Sequence, residues 1–218
     1  MLELDFSRGR RPETVLFLGA HCDDIEIGMG ATVIRLVERY PETHFVWATL
    51  SSDDVRERET RAAAARLLAG AQRSTVLVER FKGSYFPYEG ASIKSFFETL
   101  KQHGNPDVVF THYRQDLHQD HRITNELTWN TFRNHCIFEY EIPKYDGDIG
   151  IPNVFVPVSR ACLTRKIEVL MECFPSQHDK QWFTRDTFEA IARLRGIESN
   201  AAEGFAEAFH CRKAVLGL

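Results

Sequence analysis

No two cysteines of this chain stand at C-x-x-C spacing. Cys22, Cys136, Cys162, Cys173 and Cys211 are odd in number and widely spaced, which argues for a reducing compartment. Long apolar runs are absent too. No segment is apolar over a length that crosses a bilayer, and the opening M-L-E-L-D-F-S-R-G-R-R-P sets acids before its basic cluster without an apolar h-region. A soluble, cytoplasmic chain with no membrane span is expected. Positive charge is not in excess: 27 Lys and Arg are scattered among 31 Asp and Glu, for a formal net charge of -4. That leaves no polyphosphate or membrane-surface footprint and argues against nucleic acid as a partner. There is no internal repeat and no low-complexity segment.

What is present suffices for one core. With 218 residues, 43% hydrophobic and 27% charged, a single domain over 1–218 is expected. Apolar runs at 15–18, 44–50, 75–78 and 107–111 read as buried strands, and helical spacing over 28–40, 55–69, 91–103 and 123–134 separates them. This alternation predicts an α/β fold: a Rossmann-like, doubly wound, mostly parallel sheet flanked by helices. The core is expected over about 12–135, with a small C-terminal cap over about 136–218 built from strands at 137–142 and 153–158 and helices at 160–173 and 184–195. Two stretches read as loops. One is aromatic, F-K-G-S-Y-F-P-Y-E-G at 81–90, with Tyr85, Phe86 and Tyr88 expected to pack on one another; the other is polar, H-Y-R-Q-D-L-H-Q-D-H-R at 112–122.

The chemistry is concentrated in two places. V-L-F-L-G-A-H-C-D-D at 15–24 puts His21, Asp23 and Asp24 at the carboxyl end of the first strand, where an open α/β sheet binds its ligands. H-Q-D-H at 118–121 follows the fourth strand, and parallel strands put their carboxyl ends on one edge, so the two clusters can converge. Two imidazoles and one carboxylate, with a position left for water, is the set expected of a catalytic rather than a structural zinc.

A-H-C-D-D-I-E-I-G-M-G resembles the A-H-P-D-D-E signature of the LmbE-like or PIG-L deacetylase family, and H-Q-D-H resembles its H-P-D-H motif. Weaker echoes are R-E-R-E-T-R-A-A-A at 56–64, S-Q at 176–177 and R-G-I-E…F-A-E-A-F at 195–209. The resemblance implies zinc held by His21, Asp24 and His121, Asp23 as general base, and His118 as the protonated imidazole that stabilises the oxyanion. Asp120, between the two histidines, suits the orienting of an imidazole. Arg56 matches a basic position that holds a sugar hydroxyl or phosphate; the plain alternative is a solvated arginine at a helix start. Cys22 and Gln119 stand where the family usually has proline, and Phe174 where it often has histidine before Ser-Gln. His44, His103, His112, His135, His178 and His210 read as ordinary histidines, although His112 opens the polar loop.

These residues point to a zinc-dependent hydrolase that removes an N-acyl group, acetyl first of all, from a small-molecule amino sugar or glycoconjugate. Sites of two histidines and an aspartate also accept other divalent ions. Alternatives are an amidase of a thiol conjugate or antibiotic-type amide with the same site, and a non-catalytic nucleotide-binding module. Against the module, G-M-G-A-T-V lacks the third glycine, and H-C-D-D would set carboxylates against a pyrophosphate. A homo-oligomer stays open.

Overall fold

β1 (Thr14–Gly19) is buried at all six residues, so it must be covered on both faces. The computed structural model, which describes residues 11–215, places it in the middle of a seven-stranded sheet of order β3-β2-β1-β4-β5-β7-β6. The other strands are β2 (His44–Thr49), β3 (Arg73–Val78), β4 (Val108–His112), β5 (Cys136–Tyr140), β6 (Val154–Pro157) and β7 (Ala206–Cys211). The first five are parallel, and β7 runs antiparallel between β5 and β6. The chain winds outward from β1 in both directions, so the crevice between β1 and β4 is the switch point where such sheets bind ligands.

Alternation along β1 divides the core. Val15 and Phe17 join Phe45, Trp47 and Phe110 on one face. Leu16 and Leu18 join Val46, Ala48 and Val109 on the other, under Phe86, Ile93 and Phe97 of α3 (Phe86–Leu100). α4 (Gln119–Thr131) packs beside α3; on the first face α5 (Arg160–Cys173) packs against α1 (Asp24–Arg39) and α2 (Asp54–Leu67), and α6 (Arg185–Glu198) packs on β7. Among the described residues no helix is long and apolar enough to cross a membrane. The opening segment, expected to hold no leader, lies up to residue 10 outside the described residues.

Several elements depart from the sequence reading. α3 starts at Phe86, inside the stretch expected to be a loop, because Pro87 takes a first-turn position whose N–H needs no partner. α4 starts at Gln119, so H-Q-D-H opens a helix instead of sitting in a loop, with His118 as N-cap. α1 starts at Asp24 instead of residue 28 and breaks at Met29 (φ -151°, ψ 18°). β7 has no counterpart among the expected strands: A-E-A-F-H-C alternates with polar residues, yet its first five positions are buried because it pairs on both sides. The closing third, expected as a cap, therefore also completes the sheet.

Candidate metal centre

After β1 the backbone turns into α1 through Asp23, whose φ of 132° lies where residues with a Cβ rarely go. Holding it there costs on the order of 1–3 kcal/mol. Asp23 is the N-cap by position but makes no capping side-chain bond. Its carboxylate is thereby left for other work.

His21 Nδ1 lies 3.2 Å from His121 Nε2 and 3.4 Å from Asp24 Oδ2, and Asp24 Oδ1 lies 3.5 Å from His121 Nε2. Ligands about 2.0–2.1 Å from a tetrahedral zinc stand about 3.3 Å apart, so these donor atoms fit a divalent ion. Each imidazole is backed by a carboxylate on its other nitrogen: His21 Nε2 by Asp120 Oδ2 at 2.9 Å, His121 Nδ1 by Asp116 Oδ2 at 2.9 Å. That arrangement fixes tautomer and ring orientation in metal sites. Asp120 has a second task, accepting from Ser84 N at 2.5 Å and Phe86 N at 3.2 Å. The aromatic stretch is thereby anchored on the site by its backbone.

Electrostatics sort the members. Burial pulls His121 down to about 3, so its imidazole is neutral at neutral pH. Burial also lowers His21, but hydrogen bonds to Asp120 and Asp24 outweigh it and raise the imidazole to about 10. Asp24 is held well below the carboxylate range, burial being overcome by His121 and His112. Asp23 goes the other way: burial pushes it to about 7 against the pull of Arg56, in the range that suits a general base near neutral pH. His118 is lowered by burial and by the His21 charge. Its Nδ1 accepts from Asp120 N at 3.2 Å, so the neutral ring carries its proton on Nε2. In that tautomer a neutral ring can donate from Nε2.

Arg56 is not a solvated helix-start residue. It reaches Asp23 Oδ1 at 3.1 Å, Glu59 Oε2 at 3.1 Å, Ser176 Oγ at 3.0 Å and the Cys22 carbonyl, with Phe174 beneath the guanidinium at 5.5 Å. Cys22 is buried with its thiol toward Ser51 O at 3.3 Å. A cavity of about 690 Å³ opens over His21, Asp23, Asp24, His118 and His121.

Two residues escape the sequence reading. Asp116, buried, also accepts from His118 N at 2.8 Å and lies 3.0 Å from Lys144 Nζ; its only signal is that it adds another carboxylate to the polar stretch. His112, which reads as ordinary in the sequence, is fully buried, stacks on His121 at 3.8 Å and lies 3.1 Å from Asp24 Oδ2. Asp24, His112 and His121 form one group of donors that could hold an ion, and His21, His118 and His121 another. His121 belongs to both.

The family model described as PIG-L, GlcNAc-PI de-N-acetylase, matches residues 16–132, which include both histidine motifs. The chain belongs to the PIG-L family. Similar solved structures include the conserved protein TT1542 from Thermus thermophilus, with 20% identity over 94% of this chain and 96% of that one and a TM-score of 0.73. GalB, the 4-carboxy-2-hydroxymuconate hydratase of Pseudomonas putida, has 15% identity, 94% and 98% coverage and a TM-score of 0.78. The N,N'-diacetylchitobiose deacetylase of Pyrococcus horikoshii has 21% identity, 94% and 85% coverage and a TM-score of 0.66. At these identities the structures show that the PIG-L chain shares their α/β fold.

Proposed function

We propose that this chain is a divalent-metal hydrolase, with Zn2+ as the metal, that removes an N-acyl group, acetyl foremost, from an amino sugar or glycoconjugate. The observation that carries the reading is that His21 Nδ1 lies 3.2 Å from His121 Nε2 while the Asp24 carboxylate faces both, Oδ2 at 3.4 Å from His21 Nδ1 and Oδ1 at 3.5 Å from His121 Nε2, with Asp23 on the adjacent residue. The family description and the deacetylase among the similar structures support it. The fold also serves a hydratase, so the site must decide the reaction.

When bound, zinc supplies Lewis-acid activation of water and polarisation of the amide carbonyl. Asp23, buried and raised to about 7, takes the proton of the attacking water and returns it to the departing amine. His118 donates from Nε2 to the oxygen that gains charge. Asp120 and Asp116 hold the two ligand imidazoles in register. The Nη1 and Nη2 groups of Arg56 are engaged by Asp23, Glu59, Ser176 and the Cys22 carbonyl, so its part is to aim the Asp23 carboxylate toward the substrate.

The nucleotide-module reading has a physical obstacle. Past the break in α1, the amides of Ala31 and Thr32 are taken by the Glu207 carboxylate at 3.1 and 2.6 Å, and Asp24 occupies the first turn; both helix starts already face an anion. The test is amine release from a panel of N-acetylated sugars, sugar nucleotides and thiol conjugates, before chelation, after it and after zinc is restored. Release that follows the metal is expected. Equal release by the chelated protein, or none by protein carrying stoichiometric metal, would contradict the reading.

A further inference from the structure

Ser84 holds a φ of 66°, a left-handed backbone that residues with a Cβ rarely adopt. It lies between β3 and α3, on the stretch whose residues Arg80, Phe81, Lys82 and Gly83 form one wall of the cavity over the metal end. What holds this turn comes from the start of α4. Asp120 Oδ2 accepts from Ser84 N at 2.5 Å and Asp120 Oδ1 from Phe86 N at 3.2 Å, while Gln119 Nε2 donates to Ser84 O at 2.5 Å. Both backbone groups of Ser84 are therefore held by adjacent side chains of one helix. A carbonyl can only accept, so the Gln119 amide must present its nitrogen there.

The clamp is joined to the metal end. Asp120 Oδ2 also faces His21 Nε2 at 2.9 Å, and a Cβ on Gly83 would stand 3.0 Å from Ser51 Oγ and 3.9 Å from His21 Cδ2. The helix itself does not require glutamine at 119. Gln119 is the first residue of α4, where the N–H needs no helical partner, and His118 before it has φ -70° and ψ 122°, the extended backbone that precedes proline. The proline that usually stands here in the family would fit this backbone and would offer Ser84 O no donor.

We propose that Gln119 is a positioning residue: with Asp120 it clamps the turn at 83–86, so that the cavity wall carried by that turn is in place before substrate arrives. This rests on reading the site as that of an N-deacylase. The physical reason is that a rim free to move loses that freedom when substrate binds, which weakens binding, whereas a rim already held by the protein does not.

The experiment is NMR hydrogen exchange on zinc-loaded wild type, Gln119→Pro and Gln119→Met, the first variant matching the backbone and the second the side-chain length. Steady-state kinetics accompany it on the N-acetylated sugar, sugar nucleotide or thiol conjugate that wild type hydrolyses fastest. Loss of one neutral hydrogen bond changes an equilibrium about 2–10-fold. In both variants the Ser84 and Phe86 amides should therefore exchange about 2–10-fold faster, and KM should rise by about the same factor with kcat changed less. The amides at 124–131 of α4 should exchange as in wild type. Unchanged exchange at Ser84 and Phe86 in both variants overturns the clamp, and so does faster exchange throughout α4, since the glutamine would then only support its own helix. An unchanged KM, or a loss confined to kcat, overturns the positioning role. Faster exchange at the turn, in a protein that carries stoichiometric zinc and hydrolyses no member of the panel, leaves the clamp standing and removes the deacylase reading; hydrolysis with unchanged exchange does the reverse.

Discussion

Asp24 carries more of the site than any other side chain. Its Oδ2 accepts from His21 N at 2.6 Å and lies 3.1 Å from His112 Nε2, while Oδ1 faces His121 Nε2 at 3.5 Å. Around it the imidazoles are unequal: His21 is raised to about 10 and His121 lowered to about 3. The sign follows directly. With folded-state pKa above its ordinary 6.5, His21 keeps its proton through neutral pH and loses it only as pH rises through about 10, so a metal must displace that proton. Nitrogen NMR of the chelated protein at pH 8 should show His21 as imidazolium and His121 neutral, and zinc should discharge His21; titration of His21 near 6.5 would contradict this. Asp116→Asn should weaken metal binding by roughly 10–100-fold, as loss of a carboxylate behind a ligand imidazole does elsewhere, read by competition with a chelator of known affinity. That these candidate site residues would converge was legible because H-C-D-D and H-Q-D-H cluster unlike charges at strand ends. Asp116 and His112 were not, because their partners are fixed by β4 and its exit, and neither position carries a spacing signal of its own.

At the scale of elements, the break in α1 is built by two others. Lys166 of α5 donates to Ile27 O at 2.6 Å and to Glu207 Oε1 at 2.6 Å, and Glu207 of β7 accepts from the amides beyond the break. Both side chains are buried. Removing one partner of such a pair strands a charge at a cost of about 3–5 kcal/mol, whereas removing both costs much less. Denaturant titration should therefore find Lys166→Met far less stable than Lys166→Met/Glu207→Gln; equal losses would contradict the role. Gly28 is also needed, since a methyl there would run into the Tyr140 ring, and Gly28→Ala should cost about 1–3 kcal/mol by overpacking. Strand and helix alternation was legible over the first five strands because both periodicities are clean. β7 was hidden because burial on both sides came from pairing that no local pattern records, and the start of α3 because Pro87 and Gly90 read as breakers although neither breaks a first turn.

For the whole molecule, what matters is that winding outward from β1 puts residues about 100 apart in sequence within 3.2 Å, His21 against His121. If the proposed metal is bound there, fold and metal are coupled. A metal at about 100 times its dissociation constant stabilises the native state by about 2.7 kcal/mol, so chelation should lower the melting temperature by about 5–10 °C for a chain of this size, reversed by zinc. Parallel order was inferable from the sequence; the position of β6 and β7, and with them the ion pairs that hold α1, was not. The most direct measurement is metal content and amine release on the same preparations of wild type, Asp23→Ala and His121→Ala. We predict stoichiometric metal with turnover nearly abolished in Asp23→Ala, and loss of metal in His121→Ala. Full turnover in Asp23→Ala, or undiminished metal binding in His121→Ala, would contradict the assignment of ligands and base.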